Sequence, residues 1–141
     1  MLNISIVLYN NNLSEVIAQC RMLLQTKLLH RIYIVDNSPQ PSACPIDSEQ
    51  IEYLWNKGKN LGYGTAHNIA IRKSVYDRID YHLVMNADIT VTPLVLEQLQ
   101  VFMNKNAAVG IVQPKVLYPD GRIQYVAKCL PTPFDVFARR F

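Results

Sequence analysis

The sequence predicts an α/β fold, with a mostly parallel sheet flanked by helices. Short apolar runs rich in β-branched residues alternate along the chain with segments in which apolar residues recur every three or four positions. The apolar runs are continuous, which is typical of strands that are buried on both faces, as the strands of a parallel sheet are.

Length and composition narrow the class of protein. At 141 residues and 50% hydrophobic, the chain is long enough for one domain with a core and too short for two ordinary domains. Its net charge of +3 comes from only 18% charged residues, without the concentrated basic stripe that nucleic-acid binding requires. No run of 18 apolar residues and no basic leader is present, so we expect a cytoplasmic protein. Cys20, Cys44 and Cys129 are odd in number and far apart, which argues against a disulfide framework or a structural zinc site.

Three strands and two helices are predicted in the first 80 residues. The strands are residues 4–8, 31–35 and 51–55. Apolar residues from Leu13 to Leu28 follow the spacing of an amphipathic helix, and Cys20 lies on its apolar face. Residues 38–49 contain three prolines and are predicted as a surface connection. A glycine-rich loop at 56–64 leads into a second helix from about Thr65 to Ile79.

The rest of the chain continues the alternation. A strand at 81–85 is followed by Thr92-Pro93, a helix start with threonine as N-cap and proline at the first helical position. Another strand is predicted within 108–118, and the turn "PDGR" followed by "IQYV" predicts a closing hairpin. The buried face of the third helix is predicted to consist of Leu94, Val95, Leu99, Phe102 and Met103.

Polar side chains follow four of the predicted strands. In open parallel sheets, ligands bind beyond the carboxyl ends of the strands. If the sheet is wound as predicted, these segments line one crevice. They are Tyr9-Asn10-Asn11, Asp36-Asn37, the loop from Asn56 to Gly64, and Asn86-Ala87-Asp88.

Asp36 has two interpretations. A carboxylate at a strand end can accept hydrogen bonds from the ring N–H or ribose hydroxyl groups of a ligand. Alternatively, Asp36 closes the strand in an Asx-turn with Asn37 and Ser38, residue types that are favoured in turns. The sequence leaves both open.

The glycine-rich loop also has two interpretations. Gly58, Gly62 and Gly64 allow a ligand close to the backbone, two neighbouring lysines add positive charge, and the following helix N-terminus favours anions. The pattern is not a full GxGxxG, because His67 occupies the last position. A structural turn with solvated lysines is the alternative.

Asp88 is either a ligand of a hard divalent cation or a strand cap. Mg²⁺ and Mn²⁺ prefer oxygen ligands, often one or two carboxylates together with water and phosphate oxygens. Asn86, two residues earlier, offers a neutral oxygen. The ion would lie beside a diphosphate held by the glycine-rich loop, which favours the ligand interpretation.

The histidines are not assigned catalytic roles. His67 lies in the first turn of a predicted helix, where it faces either a ligand or solvent. His82 lies in an apolar strand and is predicted to be a hydrogen-bonded core residue. No spacing in the sequence predicts a Ser-His-Asp or Cys-His arrangement.

Five segments, taken in order, resemble the family-2 inverting glycosyltransferases of the GT-A fold, and most closely the rhamnosyltransferase-like members that build bacterial surface polysaccharides. The segments are "ISIVLYNNN", "IYIVDNS", "NLGYGTAHNIAI", "VMNADI" and "GIVQPKVLYPDGRIQ". The resemblance covers most of the chain. It implies a Rossmann-like GT-A nucleotide-binding domain over residues 1–141, with a core of 1–130 and a tail of 131–141.

The resemblance implies a site for a UDP- or dTDP-sugar. Asp88 would bind Mg²⁺ or Mn²⁺ in a DxD-like motif in which Asn86 replaces the first acidic residue, and Asp36 would read the nucleotide base. The other residues implied at the nucleotide sugar are Tyr9, Asn10, Asn60, Gly62, Gly64, Asn68 and Asn86.

Members of this family are usually about twice as long, so the resemblance also implies an absent C-terminal part. We expect the acceptor site and the general base beyond Phe141, and a C-terminally truncated domain that binds a nucleotide sugar better than it transfers sugar to a glycan or lipid-linked acceptor. A homodimer would cover the truncated face. The tail "PTPFDVFARRF" is either an amphipathic segment that contacts a membrane or a partner, or a disordered end.

Two other functions remain open from the sequence. A dinucleotide site would explain an acid at the end of the second strand, although "LYNNNLSE" has no glycine where the pyrophosphate would bind. A truncated or partner-completed chain could instead serve as a non-catalytic binding or assembly module with an exposed apolar patch.

Overall fold

A four-stranded parallel sheet forms the centre of the computed structural model, which describes residues 1–42 and 46–126. Its strands are β1 Leu2–Leu8, β2 Leu29–Asp36, β3 Ile51–Trp55 and β4 Tyr81–Asn86, in the order β3-β2-β1-β4. The helices are α1 Leu13–Leu23, α2 Tyr63–Tyr76 and α3 Pro93–Lys105. A separate antiparallel pair contains β5 Val116–Leu117 and β6 Ile123–Gln124. The predicted α/β class with a mostly parallel sheet is confirmed.

The chain divides into two units, Met1–Phe102 and Met103–Phe141. The first contains the parallel sheet and the second contains the β5–β6 hairpin. Within residues 1–42 and 46–126, no helix combines the length and hydropathy needed to cross a membrane. The predictions for Cys44, Cys129 and the tail 131–141 concern residues outside the described ranges.

The core lies around the two inner strands, β1 and β2. Asn3 and Ser5 on β1 are fully buried although they are polar. Burial therefore extends to both faces of β1, as the continuous apolar run predicted. The core residues of these strands that are at most 1% exposed include Ile4, Ile6, Leu8, Ile32 and Ile34.

The first two helices cover opposite faces of the sheet. α1 connects β1 to β2 and α2 connects β3 to β4, so the chain crosses the sheet in opposite directions, and right-handed crossovers then place the helices on opposite faces. α1 begins after the N-cap Asn12, whose side chain accepts a hydrogen bond from the Ser14 amide at 3.1 Å. α1 buries Val16, Cys20 and Leu23, so the predicted packing of Cys20 in the apolar face is confirmed.

The ends of α1 and α2 differ from the prediction. α1 ends at Leu23 rather than Leu28, because the next amides, of Gln25 and Thr26, donate to carbonyls only three residues earlier and turn the chain toward β2. α2 begins at Tyr63, earlier than predicted, because Gly62 adopts a φ of 75° that starts the helix. It ends at Tyr76 rather than continuing to Ile79.

α3 begins at Pro93 as predicted, but its buried face is different. Leu96 is 3% exposed, whereas Leu94 is 61% and Phe102 is 45% exposed. Successive helical residues are rotated by about 100°, so Leu94 and Leu96 lie on nearly opposite sides of the helix and cannot both face the sheet. The prediction that Leu94 and Phe102 belong to the buried face is wrong.

The predicted hairpin is confirmed in the second unit. Val116 pairs with Gln124 across a turn in which Gly121 has a φ of 84°. The additional strand expected within 108–118 is reduced to the two residues of β5. Ile111 is 90% exposed, and none of the described residues pairs with residues 107–115 to form a ladder. A strand forms only where the backbone N–H and C=O groups of a neighbouring strand can pair with its own, so an apolar sequence alone does not make this segment a strand.

Candidate functional site

The carboxyl ends of the four parallel strands lie at one edge of the sheet. Leu8 is in register with Asp36, Asp36 with Trp55, and Val7 with Asn86. The strands therefore end at the same level or one residue apart. We call residues 9–11, 36–38, 56–64 and 86–88 the carboxyl edge. The predicted convergence of four polar segments is confirmed.

Asp36 is a fully buried carboxylate that accepts three hydrogen bonds. Oδ1 accepts from the Ser38 amide at 2.8 Å, and Oδ2 accepts from the Ser42 amide at 2.9 Å and the Tyr53 hydroxyl at 2.5 Å. Burial raises the pKa of Asp36, but hydrogen bonds from Ser38, Tyr53 and Ser42 outweigh it and hold the pKa below the ordinary value. The Ser38 contact is the predicted Asx-turn. Contact with a nucleotide base stays a prediction.

Asn37 joins three strand ends, although the sequence indicated only a turn residue. Its backbone amide donates to the Leu8 carbonyl at 2.9 Å. Its side-chain Nδ2 donates to the Gly62 carbonyl at 3.3 Å, and its Oδ1 accepts from Asn56 Nδ2 at 2.6 Å. These partners lie far away in sequence, so local patterns carried no sign of this role. Asn37 fixes the glycine-rich loop against the end of β2.

Tyr9 and Asn10 lie directly after β1. The Asn10 amide donates to Ser38 Oγ at 2.9 Å and so joins the ends of β1 and β2. Asn10 has a φ of 54°, a left-handed conformation that asparagine tolerates better than most residues. Tyr9 is 51% exposed, which leaves its ring accessible to a ligand at the carboxyl edge.

The glycine-rich loop brings the N-terminus of α2 to the carboxyl edge. Among the residues that the structure describes, no side chain caps this helix, so its first-turn amides are suited to an anion. Asn60 Oδ1 accepts from the Gly62 amide at 2.9 Å, which shapes the loop. Gly64 and Asn68 are exposed on the first two turns.

Replacing Gly62 with Ala is expected to lower the free energy of unfolding by about 1–3 kcal/mol, because a φ of 75° with ψ of 170° is almost restricted to glycine. A Cβ at Gly62 would meet no atom within 4 Å, so the cost is backbone strain. Gly64→Ala is the matched control, since Gly64 has equally open space and lies inside α2, where alanine is favoured. Urea denaturation measures the difference. Equal stability of the two variants would contradict the backbone conformation at Gly62.

Asp88 lies two residues beyond β4 and is exposed. Among the residues that the structure describes, none donates a hydrogen bond to its carboxylate. Burial and the negative charge of Asp88 raise the pKa of Tyr63, so Asp88 lies within electrostatic reach of the first turn of α2. Asp88 also lines a cavity of about 290 Å³ together with Glu15 of α1.

The oxygen atoms at Asp88 fit a cation that takes most of its ligands from elsewhere. Within the described part of the chain, no group of three or more His, Cys, Asp or Glu side chains could hold an ion. Mg²⁺ usually keeps several waters and binds one or two protein carboxylates together with substrate phosphates. Exposed Asp88, with Asn86 before it, meets that requirement. The strand-cap interpretation gains no support, because no hydrogen bond to the Asp88 side chain is found in the described residues.

The three histidines belong to one chain of hydrogen bonds. His67 is only 2% exposed, so the solvent-facing interpretation is wrong, and among the described residues its Nε2 has no hydrogen-bond partner. Both ring nitrogens of His82 are bonded, which confirms the prediction of a hydrogen-bonded residue. The contacts are His67 Nδ1 to Ser5 Oγ at 2.7 Å, Ser5 Oγ to His82 Nε2 at 2.8 Å, His82 Nδ1 to Ser74 Oγ at 2.7 Å, Asn3 Nδ2 to Ser74 Oγ at 2.9 Å and His30 Nδ1 to Asn3 Oδ1 at 3.0 Å.

Stability is expected to fall as the pH is lowered from 6.5 to 4. Burial lowers the pKa of His67 to about 4, and burial together with His67 lowers the pKa of His82 from 6.5 to about 4. Within that window the unfolded chain binds more protons than the folded chain. The free energy of unfolding therefore decreases as the pH falls, by on the order of 2 kcal/mol for each histidine. Urea denaturation across this range measures the loss. His82→Asn removes one titrating group and should flatten the dependence, and an equally steep profile in that variant would contradict the assignment.

Comparisons with known proteins agree with the geometry. Residues 4–135 match the family described as Glycosyl transferase family 2. The chain is also similar to the crystal structure of S. aureus TarS 1-349, with a TM-score of 0.52 and 13% sequence identity. That match covers 86% of this chain and 43% of the TarS chain, so the present chain spans less than half of its length. At this identity the likeness concerns the fold alone. No curated protein matches the sequence.

Proposed function

The chain belongs to glycosyl transferase family 2, and from this premise we propose that residues 1–141 bind the nucleoside diphosphate sugar of an inverting sugar transfer. The observation that carries the proposal is the carboxyl edge, where four polar segments meet at the ends of parallel strands. Open α/β sheets bind nucleotides at this edge. The GT-A-like fold supports the same conclusion.

The nucleoside would lie toward the ends of β1 and β2. An ionised carboxylate has about four acceptor positions, and Asp36, which is fully buried, uses at least three of them within the protein. To read the ring N–H of a uracil or thymine base, Asp36 would exchange one of these hydrogen bonds for one from the base. Tyr9 and Asn10 would border the same pocket, with the exposed Tyr9 ring available for stacking.

The diphosphate would lie at the N-terminus of α2. The uncapped first-turn amides of this helix attract negative charge. Gly62 and Gly64 have open space where a side chain would stand, so phosphate oxygens can approach the backbone. Asn60 would hold the loop in place through its bond to the Gly62 amide, and Asn68 would contact the nucleotide sugar from the second turn.

Asp88, assisted by Asn86, would hold Mg²⁺ or Mn²⁺. When bound, such an ion stabilises the charge of the departing diphosphate. The exposed carboxylate of Asp88 is the feature that supports this role. With Asn86 in place of a second acid, the motif contributes one negative charge, and the phosphates of the nucleotide sugar would neutralise the rest of the charge of the ion.

Transfer requires an acceptor hydroxyl to attack the anomeric carbon while the bond to the diphosphate breaks, and a base to take the hydroxyl proton. We propose that residues 1–141 orient the nucleotide sugar, and that the acceptor is a glycan or a lipid-linked glycan of a surface polysaccharide. A cytoplasmic location with peripheral membrane contact would suit a rhamnosyltransferase-like reaction on such an acceptor.

Titration calorimetry with UDP- and dTDP-sugars, each with and without Mn²⁺, tests the proposal. We expect binding of at least one nucleotide sugar, and tighter binding with the ion. NAD is the control ligand, since the loop after β1 has no glycine and contains Asn10 in the left-handed conformation. Binding of NAD without binding of any nucleotide sugar would overturn the proposal in favour of a dinucleotide site.

A further inference from the structure

The unpartnered nitrogen of His67 is the observation from which a further role can be derived. His67 is 2% exposed, and among the described residues its Nε2 makes no hydrogen bond although Nδ1 is bonded to Ser5. Buried polar atoms in native proteins are almost always paired, and exceptions often mark a position that a ligand completes. Within residues 1–42 and 46–126, His67 Nε2 is the one side-chain atom of this hydrogen-bond chain that is buried without a partner, so it requires an explanation.

The direction of the chain is inferred from one contact. Ser74 Oγ lies 3.2 Å from the Ala70 carbonyl, which can only accept, and we place the Ser74 proton in this hydrogen bond. With the Ser74 proton in that bond, His82 Nδ1 donates to Ser74 Oγ, which leaves His82 Nε2 as an acceptor for the Ser5 hydroxyl.

Since the Ser5 proton is committed to His82, Ser5 Oγ accepts from His67 Nδ1–H. Burial lowers the pKa of His67 to about 4, so the ring is neutral near pH 7. A neutral imidazole with its proton on Nδ1 has a bare lone pair on Nε2. The group that completes it must therefore be a hydrogen-bond donor, which excludes phosphate oxygens and favours a hydroxyl.

The His67 ring lies against the first turn of α2, where it contacts Tyr63. Helical side chains lean toward the helix N-terminus, so the His67 ring leans toward the turn that begins at Tyr63. The Tyr63 ring packs against it at 69°, with ring centroids 4.3 Å apart. Tyr63 is 52% exposed and is flanked by Gly62 and Gly64, whose surroundings are open, so its side chain can turn aside with little loss of packing.

We propose that His67 is a further residue of the nucleotide-sugar site, whose Nε2 accepts a hydrogen bond from a hydroxyl of the ligand once Tyr63 has turned aside. This inference rests on the proposed function. The hydroxyl comes either from the ribose or from the transferred sugar. Ser5, His82 and Ser74 are positioning residues, because they set which nitrogen of His67 carries the proton.

Long-range ¹H–¹⁵N spectra of ¹⁵N-histidine-labelled protein test the proposal, because they show which ring nitrogen is protonated and whether it accepts a hydrogen bond. We expect the free protein to carry the His67 proton on Nδ1, and the Nε2 resonance to shift when a nucleotide sugar is added with Mg²⁺. UDP alone offers only ribose hydroxyls, so a shift with UDP assigns the ribose, and a shift only with the UDP-sugar assigns the sugar. A proton on Nε2 in the free protein would overturn the proposal.

Two variants complete the test. His67→Phe keeps a ring of similar size but removes both nitrogens, and it should weaken binding of the nucleotide sugar by about tenfold or more. His30→Gln, at the opposite end of the hydrogen-bond chain, should bind as the unmodified protein does. Ser5→Ala should leave neutral His67 as a mixture of two tautomers, with the proton on Nδ1 in one and on Nε2 in the other. Binding with an unchanged His67 resonance would overturn this inference alone, whereas absence of all nucleotide binding would overturn the proposed function with it.

Discussion

Replacing Asp88 with Ala is expected to weaken Mn²⁺-dependent binding of the nucleotide sugar by about a hundredfold, equivalent to about 2.7 kcal/mol. Asp88 is an exposed carboxylate at the carboxyl edge and the acid assigned to the metal. The motif itself holds no second acid that could compensate for its loss, because position 86 is Asn. Calorimetry of the variant with and without the ion measures the effect. The weak binding that remains without metal should be nearly unchanged.

Asp80 provides a matched control for this experiment. It precedes β4 at the opposite end of the same strand and is exposed, with its carboxylate 2.9 Å from the N-terminal amine. Asp80→Asn removes the same charge without altering the carboxyl edge, so metal-dependent binding should persist. Equal binding by the Asp88→Ala variant and the unmodified protein would contradict the role of Asp88 as metal ligand.

Replacing Asp36 with Asn is expected to lower the free energy of unfolding by about 2–4 kcal/mol and to abolish nucleotide binding. The Asn side chain has one acceptor oxygen, so its NH₂ group would replace one of the two carboxylate oxygens. In one orientation the Ser38 amide loses its acceptor, and in the other the Ser42 amide and the Tyr53 hydroxyl lose theirs. An unpaired buried donor costs about 1–3 kcal/mol, and losing a charged acceptor adds to that cost. Urea denaturation and calorimetry measure the two effects.

Tyr53→Phe is the milder companion variant. It removes one donor and leaves the carboxylate bonded to the two backbone amides, so we expect a loss of about 1 kcal/mol. Nucleotide binding should be retained, since an acceptor position of Asp36 becomes available. If Asp36→Asn were as stable as Tyr53→Phe, the buried carboxylate would not organise the loop after β2.

The sheet could be predicted from the sequence because its evidence is local. Each strand is a continuous apolar run, and four polar segments follow four strands, which was enough to predict one edge. Helix ends and the face of α3 depended on details that the apolar pattern does not contain. Gly62 starts α2 through its backbone conformation, and Leu96 rather than Leu94 meets the sheet.

The contacts within the site could not be predicted, because their partners are distant in sequence. Both interpretations of Asp36 rested on its position, yet the Tyr53 hydroxyl that pairs with it comes from another strand. The same holds for Asn37, which bonds to Asn56 and Gly62. His67 was harder still to predict. It lies on α2, its hydrogen-bond partner Ser5 lies on β1, and Ser5 in turn contacts His82 on β4.

Mapping of backbone amide resonances on addition of a UDP-sugar and Mg²⁺ tests most directly whether the carboxyl edge is one nucleotide-sugar site. The perturbed amides should fall together in residues 9–10, 36–38, 60–68 and 86–88, with those at 60–68 responding to the diphosphate. Ser74 and Asp80, which lie toward the opposite ends of α2 and β4, should not respond. Perturbations confined to one of the four segments, or lying outside all of them, would contradict a shared site.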